Sequence, residues 1–207
     1  MTRRFFYDTE FIDNGRTIEL LSIGAVAEDG TEYYAVVDDL ELINRAHNHP
    51  WLRENVVPFL PVAGVWSSET DTVQWDQGHP DIGAVRSRTQ IAADLQALFV
   101  PSGPQGALGM GEPCELWAWF AAYDHVALAQ LFGRMIDFPP GVPMFTHELV
   151  QRWEECGCPM RPTQAAGTQH NALADARWNR ALWMVCESAR HVGGCRAGAR
   201  RSAPVTG

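Results

Sequence analysis

The run FFYDTEFI, residues 5–12, constrains the fold of this chain more than any other feature. Its aromatic residues suit a pleated, buried surface. Two more strand-like runs follow, TIELLSIGAVA at 17–27 and TEYYAVVD at 31–38, and Glu28-Asp29-Gly30 between them reads as a hairpin turn. A strand sends alternate side chains to opposite faces, so Asp8 and Glu10 point to the same side of the first strand. Two neighbouring carboxylates repel each other, and burying them costs several kcal/mol unless something compensates.

The rest of the chain alternates in pattern. Residues 50–60 suit a short helix, 61–82 read as an irregular stretch holding Trp66 and Trp75, and 88–99 carry Ile91, Leu95 and Leu98 at helical spacing. PSGPQGALGMGEP, 101–113, reads as a Gly/Pro-rich surface loop. CELWAWF then predicts a strand and 123–136 a helix; VPMFT predicts a short strand and 147–156 another helix; a long helix over 171–189 closes the pattern. Strands followed by alternating helices and strands predict an α/β fold, a mixed sheet covered by helices. One domain is expected over 1–189, followed by a basic tail, 190–207, that reads as disordered.

Composition narrows the function classes. Of the 207 residues 46% are hydrophobic and 20% charged, as in a folded domain and unlike a disordered chain. No stretch of about 18 uncharged apolar residues occurs, so no membrane span is expected. The N-terminus has no apolar signal region before its first acid, and the five scattered cysteines suit reduced thiols, so a cytoplasmic protein is expected. Cys156-x-Cys158 alone is a weak metal motif. The net charge is −9, and four of the 16 arginines lie in the last 20 residues, which leaves the body more acidic still. That argues against duplex binding through a broad basic face, but not against a nucleic-acid enzyme with its cations inside the site.

Two further acids stand in unusual places. In HNALADARWNRALWMVCES, Ala172, Ala176, Leu182, Trp183 and Cys186 form one helical face, and Asp175 and Asn179 fall on it. The small alanines would let this helix approach the sheet closely. Asp124 lies one turn before Leu128, on the side of Leu131, Phe132 and Met135. Each acid has an ordinary account: Asp124 as a helix cap, Asp175 as an N-terminal helix acid, Asp8 and Glu10 at a solvent-facing strand end. Together they describe four carboxylates converging on one side of a sheet. Divalent cations would make that arrangement tolerable, and oxygen ligands suit Mg²⁺ or Mn²⁺ rather than zinc. Two such ions form the site used for phosphodiester cleavage. His170, five residues before Asp175 and beside the cap Asn171, is the general-base candidate. His47 and His49 read as surface histidines in a loop.

Asp8-x-Glu10, then Asp124, then His170-x-Ala172-x-x-Asp175 resemble the DEDDh branch of the DnaQ-like 3′-5′ exonucleases, across residues 4–187. The stretches YDTEFIDNGRTIELLSIGAV and AYDHVALAQLFGRM are similar to the small actinobacterial polyadenylate-specific 3′-exoribonucleases, relatives of ribonuclease T. The resemblance implies a ribonuclease-H-like fold with a mixed five-stranded sheet flanked by helices. It implies that Asp8, Glu10 and Asp175 ligate metal, that Asp124 supports the second of two Mg²⁺ or Mn²⁺ ions, often through water, and that His170 is the base. It also implies that Thr9, Phe11 and Ile12 contact the terminal nucleotide, with Phe11 alternatively a core residue and Trp75 a further stacking candidate. The implied partner is a single-stranded RNA 3′ end, and a homodimer is a common assembly among relatives. Three functions stay open: an exoribonuclease releasing nucleoside 5′-monophosphates, poly(A) among its substrates; an exonuclease acting on single-stranded DNA; and a catalytically silent RNA-end-binding module. The last expects a missing acid or histidine, and all five are present.

Overall fold

The computed structural model describes residues 3–66, 71–100 and 114–193. Three strands come first: β1 (Arg3–Asp13), β2 (Ile18–Ala27) and β3 (Glu32–Val37). They form an antiparallel meander, with Asp8 opposite Gly24 and Ile23 opposite Ala35. The expected turn closes it, with Gly30 at φ 91° and Thr31 N donating to Asp29 Oδ1 at 2.9 Å. A fourth strand, over Cys114–Ala118, pairs parallel to β1, with Phe5 opposite Leu116.

Among the described residues the mixed sheet has six strands rather than the expected five. Both edges are two-residue parallel strands. Numbered along the chain, with a separate hairpin of β4 (Val62–Trp66) and β5 (Asp71–Trp75), these edges are β6 (Val85–Arg86) and β8 (His147–Glu148), and Cys114–Ala118 is β7. The order is β6-β3-β2-β1-β7-β8. Two residues are too few to show an alternating pattern, so sequence periodicity cannot find such edges. VPMFT is not a strand; pairing begins just after it, at His147. The hairpin replaces the irregular stretch expected at 61–82, and its tip, 67–70, lies outside the described residues. So do the loop at 101–113 and residues 194–207 of the tail.

Helices cover both faces. Ser87 and Gln90 form a reciprocal cap that starts α3 (Arg88–Phe99; α1 and α2 are given below). With α4 (Ala121–Phe132) it buries Ile91, Leu95, Phe99 and Leu128 against Phe5, Tyr7, Leu20 and Ile23. Gly133, at φ 103°, ends α4 before the expected residue 136, because only glycine takes that conformation without strain. On the opposite face α5 (Leu149–Glu155) and α6 (Ala172–Gly193) place Leu149, Leu182, Trp183 and Cys186 on Phe6 and Trp117.

A third cluster joins α1 (Leu40–His47), α2 (Pro50–Asn55) and the β4–β5 hairpin around Leu21, Val36, Leu42 and Ile43. It corrects the reading of His47, whereas His49 is exposed as expected. His47 ends α1, is buried, and holds Asp71 Oδ1 at 2.8 Å through Nε2. His49 accepts a hydrogen bond from Leu52 N and caps α2. No helix among the described residues is long and apolar enough to cross a membrane.

Candidate active site

The site is built where β1 runs on past β7. Phe5, Phe6 and Tyr7 are fully buried and fix the strand, and the β1–β7 pairing ends at Phe6 and Trp117. Beyond that point the Thr9 N–H and hydroxyl both donate to Asp124 Oδ1, at 2.8 and 2.6 Å. These two bonds pull the first turn of α4 onto β1 and bury Asp124 beside Glu10. Glu148 sets the start of α4: its carboxylate accepts from Phe120 N and Ala121 N, and also from Val150 N at the start of α5. Phe120 itself takes a left-handed conformation, φ 57°, at the turn.

Asp175 arrives from the other side. Gly24 lies opposite Asp8, and a Cβ on Gly24 would overlap the Ala172 carbonyl of α6. With Ala172 and Ala176 fully buried, the first turn of α6 therefore rests on the sheet at this point. Asn179 Nδ2 donates to the Tyr7 carbonyl at 2.9 Å and ties the helix to β1. Asn171 Oδ1 caps the helix by accepting from Ala174 N at 3.0 Å. Asp175 Oδ2 accepts from His170 N at 2.8 Å, and its Oδ1 accepts from Gln164 Nε2. His170 has φ 65°, and its ring meets Trp51 edge-on at 4.8 Å between centroids.

Donor atoms of Glu10, His170 and Asp175 lie within 4.8 Å of one another. Asp8, Asp124, Thr9 and Phe11 join them in a cleft of about 550 Å³, whose lining among the described residues holds four carboxylates and no arginine. The electrostatic result is the same for every acid. Removal from water pushes the Asp8 carboxyl well above its ordinary range, with Asp124, Glu10 and Asp175 adding repulsion. Glu10 is pushed up to about 8 by burial and then by Asp175 and Asp124. Burial pushes Asp124 up to about 7, although the Thr9 hydrogen bonds pull it down. Burial also raises Asp175, against the lowering effect of Gln164 and the His170 N–H.

Two of the sequence-predicted residues do not reach the cleft. Ile12 is 8% exposed and packs with Leu42 and Ile43 in the third cluster. The β1–β2 register shifts at Glu10 and Phe11, and alternation then sends Ile12 away from the face that Phe11 takes. Trp75 packs on that same cluster from β5. Phe11 answers to both of its accounts: it lines the cleft, it packs on the α3–α4 side of the core, and its ring lies 6.0 Å from Tyr123 at 19°. Sequence reasoning missed Trp51, Trp119, Phe120, Tyr123 and Gln164, all of which line the cleft. The signal for three of them was present, since Trp119, Phe120 and Tyr123 stand within five residues of Asp124.

Residues 3–187 match the family model of the 3'-5' exoribonuclease Rv2179c-like domain. The chain belongs to this family. Across 176 residues it is 46% identical to 3'-5' exoribonuclease Rv2179c of Mycobacterium tuberculosis (strain ATCC 25618 / H37Rv) and to 3'-5' exoribonuclease MT2234.1 of Mycobacterium tuberculosis (strain CDC 1551 / Oshkosh). The alignment covers 84% of this chain and 87% of each relative. The Rv2179c-like region spans every residue of the acid cleft and stops short of the arginine-bearing tail. Membership of this Rv2179c-like family bears out the resemblance read from Asp8-x-Glu10 and the HNALAD segment.

Proposed function

We propose that this chain is a 3′-5′ exoribonuclease that uses two divalent cations to release nucleoside 5′-monophosphates from single-stranded RNA ends. One observation carries the reading: Asp8, Glu10, Asp124 and Asp175 converge in a single cleft with His170 at its rim and, among the described residues, no arginine in its lining. Family membership supports the reaction, and both relatives are named 3′-5′ exoribonucleases.

The donor set fits Mg²⁺ or Mn²⁺. It offers hard carboxylate oxygens, and burial with mutual repulsion makes their ionised forms unstable without added positive charge. Asp8, Glu10 and Asp175 would hold the ions directly. Asp124, oriented by two bonds to one oxygen, would support them from the α4 side. The bound ions would supply charge to balance the attacking and leaving oxygens of phosphodiester hydrolysis.

The remaining work falls to the protein. His170 would take the proton of the attacking water on a ring nitrogen, the general-base role that a neutral imidazole can fill. Its left-handed backbone and its N–H bond to Asp175 place it at the cleft, and Trp51 limits the swing of the ring. Phe11 and Tyr123 offer aromatic faces to the terminal base. Breaking the bond from phosphorus to O3′ leaves a 3′-hydroxyl on the shortened strand and a 5′-phosphate on the released nucleotide. Matched RNA and DNA oligomers labelled at the 3′ end test the reading. With Mg²⁺, labelled mononucleotide should be the first product from RNA. Labelled fragments longer than one nucleotide would overturn it, and equal release from DNA would favour a DNA exonuclease.

A further inference from the structure

Arg161 stands in the segment between α5 and α6, which two indoles hold in place. Trp153 Nε1 donates to the Pro159 carbonyl at 2.7 Å, and Trp178 Nε1 to the Pro162 carbonyl at 2.8 Å. The guanidinium carbon of Arg161 lies 5.5 Å from the ring centre of Trp153 and 5.8 Å from that of Trp119. Contacts of this kind do not consume all five N–H donors of a guanidinium, which stay able to bond elsewhere. Among the described residues nothing accepts from them, whereas Arg4, Arg45, Arg134 and Arg177 each hold a carboxylate. Arg161 is exposed, rests against two indoles and, among the described residues, has no acceptor for its N–H groups.

Its surroundings point to an anion. A second hollow of about 460 Å³, lined by Arg161, Thr163, Gln164, Gln169 and Trp178, adjoins the acid cleft. Gln164, Gln169 and Trp178 line both, so the two are continuous. Among the described residues, Arg161 is the single arginine lining either one. A polyanion approaching a chain of net charge −9 gains most from a cation on its own path. The planar fork of an arginine matches phosphate oxygens in two-point contact.

We propose that Arg161 binds a backbone phosphate of the RNA strand that remains after cleavage, on the 5′ side of the bond that is cut. Arg161 is then a positioning residue that holds the body of the strand while the acid cleft works on its end. The proposal rests on the exoribonuclease reading. It separates two sub-sites along one groove, an acidic one for the nucleotide removed and a cationic one for the strand retained.

The test compares a ten-nucleotide single-stranded RNA with a dinucleoside monophosphate, whose one phosphate is the one cut. Parent, Arg161→Ala and Arg161→Lys are assayed with Mg²⁺ over a range of salt. Arg161→Ala should raise KM for the decamer about 10-fold and hold kcat, as expected for loss of a charge-assisted contact. The dependence of log KM on log salt should flatten by about 0.7, the share of one single-strand phosphate. Arg161→Lys should recover part of both, and the dinucleoside should be processed alike by all three. An unchanged KM for the decamer overturns the proposal. So does an equal loss on both substrates, which would show that Arg161 only shapes the cleft through Trp119 and Trp153. A parent that cuts neither substrate overturns the exoribonuclease reading instead, so the two failures are distinct.

Discussion

Gly24 lies directly opposite Asp8 in the β1–β2 ladder, and the Ala172 carbonyl of α6 occupies the place where a Gly24 side chain would be. One backbone position thus sets how near Asp175 comes to the acids of β1. Gly24→Ala should lift the first turn of α6. Overpacking of this kind costs about 1–3 kcal/mol, and misplacing reacting groups by about 1 Å can cost 10²-fold in rate. We expect a melting temperature several degrees lower and activity reduced further than the stability loss explains. Calorimetry beside a steady-state assay checks both; an unaffected rate would mean that α6 does not position Asp175.

Asp8→Asn and Asp175→Asn should each abolish cleavage and leave the fold intact. An amide ligates Mg²⁺ poorly but removes one of the repelled charges. Metal-free Asp8→Asn should therefore melt no lower than metal-free parent. Full activity of either variant with Mg²⁺ would show that the site is assigned wrongly.

His170→Ala should slow the reaction by about 10²–10⁴-fold, the usual contribution of a positioned base. Its ring lies close enough to Glu10 and Asp175 that it could instead hold a cation with them. Titration calorimetry with Mg²⁺ separates the two roles. Binding that is nearly unchanged supports the base, and a large loss makes His170 a ligand.

The raised carboxyls fix the sign of a pH effect on the metal-free protein. Glu10 has an ordinary value of 4.5 and is pushed up to about 8 when folded, so between those values the folded state binds more protons than the unfolded one. Stability then falls as pH rises, beginning near the unfolded value and levelling off above the folded one. With EDTA present, the parent should lose stability relative to Glu10→Gln as pH goes from 4.5 to 8. Melting curves across that window check this. A gap that stays constant would mean that Glu10 is not held in a disfavoured ionised state.

Much of this fold was legible where periodicity is strong. β1, β2, α3 and α6 follow from strand-like runs or helical spacing over ten or more residues, which local sequence displays directly. The two-residue edges β6 and β8 display no period, and α1 passed unnoticed although His47 closes its buried face. The site behaved in the same way. Asp8, Glu10, Asp124 and Asp175 could be named because carboxylates on apolar faces stand out, and His170 by its place five residues before Asp175. The groups that orient them could not. The bond from Thr9 to Asp124 spans 115 positions, and Glu148 caps Phe120 from 28 positions away. Ile12 was misplaced because the register shift beside it depends on the partner strand.

The central claim is that the cleft of Asp8, Glu10, Asp124 and Asp175 removes nucleotides one at a time from a 3′ end. A single gel tests it most directly, with 5′-labelled linear RNA and a circular RNA of the same sequence incubated with Mg²⁺ and either parent or Asp175→Asn. The linear strand should give a ladder that shortens stepwise with parent and persists intact with the variant, and the circle should remain whole. Cleavage of the circle by parent, or an undiminished ladder with Asp175→Asn, would contradict the account.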